Sequence, residues 1–187
     1  LKVSSPVLPK KTASYGLKFA VSEAAAFGEV LARAGIVYVD AGVLALHVAG
    51  DPTYLDLTRI VLGGMRDGRF EGRTSAVTVY QLLSGAYRSG HSEAAERVES
   101  LLTALSGLEI VPVSAAIAHQ AAQVRAQIGG DLTRAIHIAT ALAGDSEIYV
   151  TRRTKLRRIA GLGVAQLDAH LSETGETGSG IQPAGGA

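Results

Sequence analysis

The chain has no cysteine among its 187 residues. Disulfides, thiolate metal sites and cysteine nucleophiles are excluded together, and nothing about compartment follows. Tryptophan is absent too, which leaves three Phe and six Tyr as the whole aromatic complement. With so few flat side chains, sequence-specific reading of single strands by base stacking is not expected. No charge of one sign dominates, since the formal net charge is +1. A global field that would draw in nucleic acid or a membrane is missing, so any basic patch has to be local. No apolar run approaches the roughly 20 residues of a membrane span. Nothing in the opening residues reads as a signal peptide, and Leu1 leaves open where the natural start lies.

What is present is enough apolar material, 47% of residues, for one domain with a substantial core. The stretch Ile36 to Ala49, IVYVDAGVLALHVA, organises the rest. Its first four residues are too uniformly apolar for a strand with one wet face, so they read as a buried central strand of a parallel sheet. The strand ends on Asp40, and a helical pattern follows from Gly42. A carboxylate at that end of a central parallel strand lies where open α/β sheets keep their ligand crevice. It has to be solvated, paired or ligated, because an isolated buried charge is very costly.

In order, residues 1–17 read as an irregular arm with two prolines, and 18–34 as an amphipathic helix that packs on the domain or docks on a partner. The α/β domain spans 35–171. Strands are expected at Glu71 to Ala76, Glu109 to Val113, Ile148 to Val150 and Val164 to Leu167, with Pro112 marking a strand end or edge. Helices are expected over Thr53 to Met65, Thr78 to Arg88, His91 to Leu105, from a Ser114 cap to Ile128, and over RAIHIATALA with Asp131 or Thr133 as cap. Thr151 to Ile159 reads as a short basic helix. The β-α alternation predicts a mostly parallel sheet between helical layers. Residues 172–187, rich in Gly, Ser, Thr and Pro, read as a disordered tail.

Four stretches in this order, YVDAGVLAL, TSAVTVYQLLSGAYR, RAIHIATAL and VTRRTKLRRI, resemble the PIN-domain family, the fold of VapC-type toxin ribonucleases. The resemblance covers about residues 36–170. It implies a three-layer α/β/α sandwich, a cytoplasmic protein, and carboxylates at the strand ends that hold Mg²⁺ or Mn²⁺ for RNA cleavage. It also implies a homodimer and an antitoxin-like protein partner whose peptide enters the cleft.

The acidic positions depart from that pattern. Asp40 matches the first aspartate, but Gln81, Arg134 and Arg153 stand where the family has acids, Arg152 precedes Arg153, and Ala41-Gly42 replaces a small polar pair. One acid, one neutral amide and two guanidiniums do not concentrate a divalent cation. The expectation is therefore a degenerate domain with no metal or other cofactor and no metal-dependent nuclease activity, acting in RNA or phosphate binding or in protein assembly. The alternative is an active Mg- or Mn-dependent endoribonuclease whose acidic site is rebuilt from Asp131, Asp145 or Glu147.

Arg134 and Arg153 each fall in the first turn of an expected helix, where the helix dipole opposes a cation. Either one of them pairs with Asp40 and closes the cleft, or both bind a phosphate with the free helix N–H groups. Arg152, Lys155 and Arg157 extend the basic stretch toward RNA phosphates or form a solvated face. His137 reads as a packed helix histidine, and His47, His91, His119 and His170 have no metal-ligand spacing. Tyr80 and Tyr87 read as core or dimer-interface residues, and Gly63-Gly64 as a kink or a close helix contact.

Overall fold

Ile36–Val39 is extended because three of its four residues are β-branched, and the run is bounded by Gly35 and by the chain's turn into a helix at Asp40. A computed structural model describes the protein over residues 24–90, 92–152, 159 and 161–171. The strands are β1 (Ile36–Val39), β2 (Glu71–Ser75), β3 (Leu108–Val111), β4 (Ile148–Thr151) and β5 (Gly163–Gln166). They form one sheet in the order β3-β2-β1-β4-β5, and every pairing is parallel. The helices are α1 (Ala24–Arg33), α2 (Ala41–Ala49), α3 (Leu55–Arg66), α4 (Ala76–Arg88), α5 (Ser92–Ala104), α6 (Ala115–Ile128) and α7 (Leu132–Ala143). A single 3₁₀ turn, Leu167–His170, follows β5. β3 lies at the sheet edge, directly before Pro112, where a missing N–H costs no ladder bond.

β1 sits in the middle, and its alternation divides the core. Val37 and Val39 join the cluster with Phe27, Leu31, Leu44, Val61 and Val98 from α1, α2, α3 and α5. Tyr38 faces the other way, into the cluster of Ile117, Ala121, Ile138 and Ala139 from α6 and α7. Apolar side chains on both faces require helices on both faces, which gives the three-layer α/β/α sandwich. The sheet is wholly parallel where the sequence suggested mostly so.

The caps are legible residue by residue. Ser114 Oγ accepts from the Ile117 N–H at 3.2 Å to open α6. Asp131 Oδ1 accepts from the Arg134 N–H at 2.8 Å to open α7. Gly50 ends α2 at φ 63°, a left-handed conformation that glycine adopts without steric cost. Gly64 lies inside α3. A Cβ there would stand 2.3 Å from the Phe70 ring, so this glycine permits a close packing contact.

The helix read as 18–34 is described from Ala24, and it is part of the core, with Phe27 and Leu31 fully buried. The arm 1–17, the tail 172–187 and residues 153–158 of the basic segment lie outside the described residues. Tyr80 and Tyr87 are not core residues, at 69% and 64% exposed on α4.

Candidate functional site at the head of the sheet

Because all five strands run the same way, the C-terminal ends of β1, β2 and β4 meet at one edge, with Asp40, Ser75 and Thr151 there. Asp40 stands at the N-cap position of α2 but does not cap it. Its carboxylate turns toward β4, where Oδ2 accepts from the Thr151 hydroxyl at 2.8 Å. Asp40 is 8% exposed, so this bond answers part of the cost of burying the charge.

His137, on the inward face of α7, approaches the same carboxylate. Its Nε2 lies 4.0 Å from Asp40 Oδ1 and 2.6 Å from Gln81 Oε1 on α4. Its Nδ1 lies 2.6 Å from the Tyr38 hydroxyl. The amide oxygen of Gln81 only accepts, so Nε2 carries a proton toward it, and Nδ1 meets the Tyr38 hydroxyl. Burial pushes the Tyr38 hydroxyl well above the usual phenol range, and the Asp40 charge adds to this, so Tyr38 stays a neutral donor. A buried hydroxyl cluster continues alongside. Thr74 donates to Val39 O at 2.8 Å and lies 2.7 Å from the Thr78 hydroxyl, while Thr140 donates to Ser75 Oγ at 3.4 Å.

A small pocket opens over this network, lined by Asp40, Asp131, Thr133, Arg134, His137, Tyr149 and Thr151. The sequence offered Asp40, Arg134 and, as one candidate replacement acid, Asp131; it gave no signal for His137 or Thr151. The docking of α7 carries its N-cap residue, Asp131, into the lining. The other two candidate acids are at the opposite end of β4, which begins at Ile148, and Glu147 there accepts from the Gly35 N–H at 2.8 Å.

Arg134 does not pair with Asp40. Among the described residues it forms no ion pair, and its Nε is buried without a hydrogen-bond partner. The side chain runs back along Gly130, where an added Cβ would meet its Cδ and Nη1 at 3.3 Å. Asp40 is instead served by Thr151 and faces His137. Arg152 turns away from the pocket altogether, its guanidinium 5.4 Å above the centre of the Tyr54 ring. The Tyr54 hydroxyl donates to Asp168 at 2.6 Å, and this bond to a carboxylate raises its pKa. Arg153, Lys155 and Arg157 lie outside the described residues.

The lining does not suit a hard divalent ion. Such ions take several oxygen ligands, carboxylates foremost, at about 2.0–2.6 Å. Two carboxylates are present, and Asp131 already spends one oxygen on its cap. A guanidinium shares the pocket, and Gln81 is engaged by His137. No group of three or more His, Asp or Glu among the described residues is arranged to hold an ion.

The family model for the PIN domain matches residues 37–162. The chain belongs to the PIN-domain family. Three solved structures share the PIN fold with it. One is a toxin–antitoxin complex from Klebsiella pneumoniae, at 23% identity and TM-score 0.52, covering 67% of this chain and 94% of that one. The second is VapBC2 from Rickettsia felis bound to a promoter DNA fragment, at 18% identity and TM-score 0.52, covering 70% and 98%. The third is DNA-bound VapBC from Salmonella typhimurium, at 18% identity and TM-score 0.54, covering 70% and 97%. No curated protein matches. Among the described residues no helix is long and apolar enough to cross a membrane.

Proposed function

We propose that this PIN domain is a VapC-like binding module, working in the cytoplasm within an assembly of toxin–antitoxin type and without metal-dependent nuclease activity. One observation carries the reading: the side chain at position 81, an acid in the resembled pattern, is an amide bonded at 2.6 Å to His137. That oxygen is committed to the imidazole, in a pocket that also holds Arg134. Solved relatives of the fold occur in toxin–antitoxin complexes, which supports a protein partner. The pocket's two carboxylates and one guanidinium favour a partner's cationic side chain over a phosphate by simple charge count.

RNA contact, if the domain makes it, falls to Arg134, Arg152, Arg153, Lys155 and Arg157. Binding through such side chains is dominated by phosphates, so it should weaken steeply with salt. A gel-shift series that shows no salt dependence, or no binding at low salt, removes that part. A homodimer belongs to the same reading, with the exposed Tyr80 and Tyr87 on α4 as its candidate contact. Light scattering at micromolar concentration that returns the mass of one chain removes it.

The second reading, an Mg- or Mn-dependent endoribonuclease with a rearranged site, draws support from Asp131 beside Asp40 in the pocket. A cleavage assay on a mixed RNA pool with Mg²⁺ and Mn²⁺ separates the two. The binding module gives no cleavage above a metal-free control. Cleavage that Asp40→Ala abolishes, with the fold intact by circular dichroism, establishes the enzyme instead.

A further inference from the structure

A second polar cluster stands beside the pocket and takes no part in its lining. Thr151, which lines the pocket and donates to Asp40 Oδ2 at 2.8 Å, is followed directly by Arg152. Consecutive Cα atoms are about 3.8 Å apart, so the Arg152 side chain is rooted at the rim of the pocket. Coulomb attraction alone would turn an exposed guanidinium there toward the Asp40 carboxylate. It is turned the other way. Its central carbon lies 5.4 Å above the centre of the Tyr54 ring, within the reach of a cation–π contact. The Tyr54 hydroxyl donates to Asp168 at 2.6 Å, which fixes the ring and brings a carboxylate next to that hydroxyl. The hydroxyl feels both charges, since the Asp168 bond raises its pKa and Arg152 works against the rise. Tyr54 is 8% exposed and packs in the cluster of Val37 and Val39, so the platform under the guanidinium is part of the core. Tyr54 precedes α3, Arg152 follows β4 and Asp168 sits in the 3₁₀ turn after β5, so three separate elements build the arrangement.

The charge of the pocket makes this orientation matter. The lining holds two carboxylates and one guanidinium, so one negative charge is left over. A second guanidinium would cancel it. Resting on the reading above, in which the pocket takes a partner's cationic side chain, we propose that Tyr54 and Asp168 form a clasp that holds Arg152 off the Asp40 pocket and so keeps the pocket negative. Tyr54 is then a positioning residue for binding, although it does not line the pocket. Released from the ring, Arg152 takes the place of the partner's side chain and competes with it in cis. A tethered competitor acts at high effective concentration. The loss of affinity is set by one exposed ion-pair contact, which corresponds to about two- to fivefold.

The test is an NMR titration of the full chain with acetyl-arginine amide, a single guanidinium on an uncharged backbone, at low salt where screening is least. The amide shifts of Asp40 and Thr151 report binding. Tyr54→Leu is expected to weaken it about two- to fivefold. Arg152→Ala in that background is expected to restore it, and Arg152→Ala alone to change it by less than that restoration. Restoration is the readout that a merely structural role of Tyr54 would not produce. Unchanged affinity in a folded Tyr54→Leu chain overturns the proposal. So does a weakening that Arg152→Ala leaves in place, and so does an equal effect of Arg152→Ala in both backgrounds. Thermal melts establish folding. If the leucine variant does not fold, Asp168→Asn replaces it, because it removes the carboxylate beside the hydroxyl and leaves the buried ring, and the same outcomes decide. An unaltered chain whose shifts do not move, or move equally in Asp40→Asn, is a different result: it removes the reading of the pocket as a cation site, and this proposal with it.

Discussion

Asp40 lies buried at the head of the sheet, where β1 turns into α2. The carboxylate is tolerable there because Thr151 donates to one oxygen and a polar network begins at His137 beside the other. That network is only as strong as its buried partners. Removing the Tyr38 hydroxyl breaks its buried 2.6 Å bond to His137 Nδ1, a loss of about 0.5–1.5 kcal/mol. Tyr38→Phe should lower the urea midpoint correspondingly with little change in slope, since the ring still stacks on Tyr149 at 5.0 Å. A midpoint within experimental error of the unaltered protein would show that the bond contributes nothing. Asp40 at the end of a buried strand and Arg134 in the first turn of α7 could be read directly from the sequence. Tyr38 and His137 could not be linked that way. They are 99 positions apart, and both fall in apolar runs where a packed side chain is the ordinary outcome.

Elements were legible where the signal was local. The buried strand at 36–39 and the Ser114 cap depend on residues within a turn of one another and are where the pattern put them, and of the two caps offered for α7, Asp131 is the one that forms. Asp131's second role was not legible, because its entry into the pocket depends on how α7 docks on the sheet. The two adjacent glycines of α3 show the same limit and allow a clean comparison. Replacing a helix-interior glycine by alanine gains about 1 kcal/mol from backbone entropy where space allows. At Gly63 the nearest atom to an added Cβ is Arg66 Nη2 at 4.0 Å, so Gly63→Ala should raise the melting temperature. At Gly64 the Phe70 ring stands 2.3 Å away, and overpacking of about 1–3 kcal/mol outweighs the gain. Gly64→Ala should therefore melt lower than the unaltered chain, and the reverse order in a thermal scan would contradict the packing described for α3.

Across the whole molecule, acid sensitivity should come in part from two histidines outside the pocket. Burial depresses the His170 pKa, and burial followed by the Arg59 charge depresses that of His47. Unfolding returns both to the ordinary imidazole range, so the unfolded chain binds more protons at mildly acidic pH. Their contribution is complete above that range and is lost as pH falls through the folded values. The urea midpoint should be lower at about pH 5.5 than at about pH 7.5, and His47→Gln/His170→Gln should reduce the difference. An unchanged difference in the double variant would assign the acid sensitivity elsewhere.

The family-matched span starts at residue 37, yet Phe27 and Leu31 of α1 fill the cluster under Val37 and Val39, and Phe27 also lies against the His170 ring at 4.7 Å. Anyone trimming the gene to the recognised domain would pull a stopper from the first layer of the core and uncover greasy surface on α3. The resulting fragment should clump or refuse to express, and its silence in any assay would say nothing about the pocket.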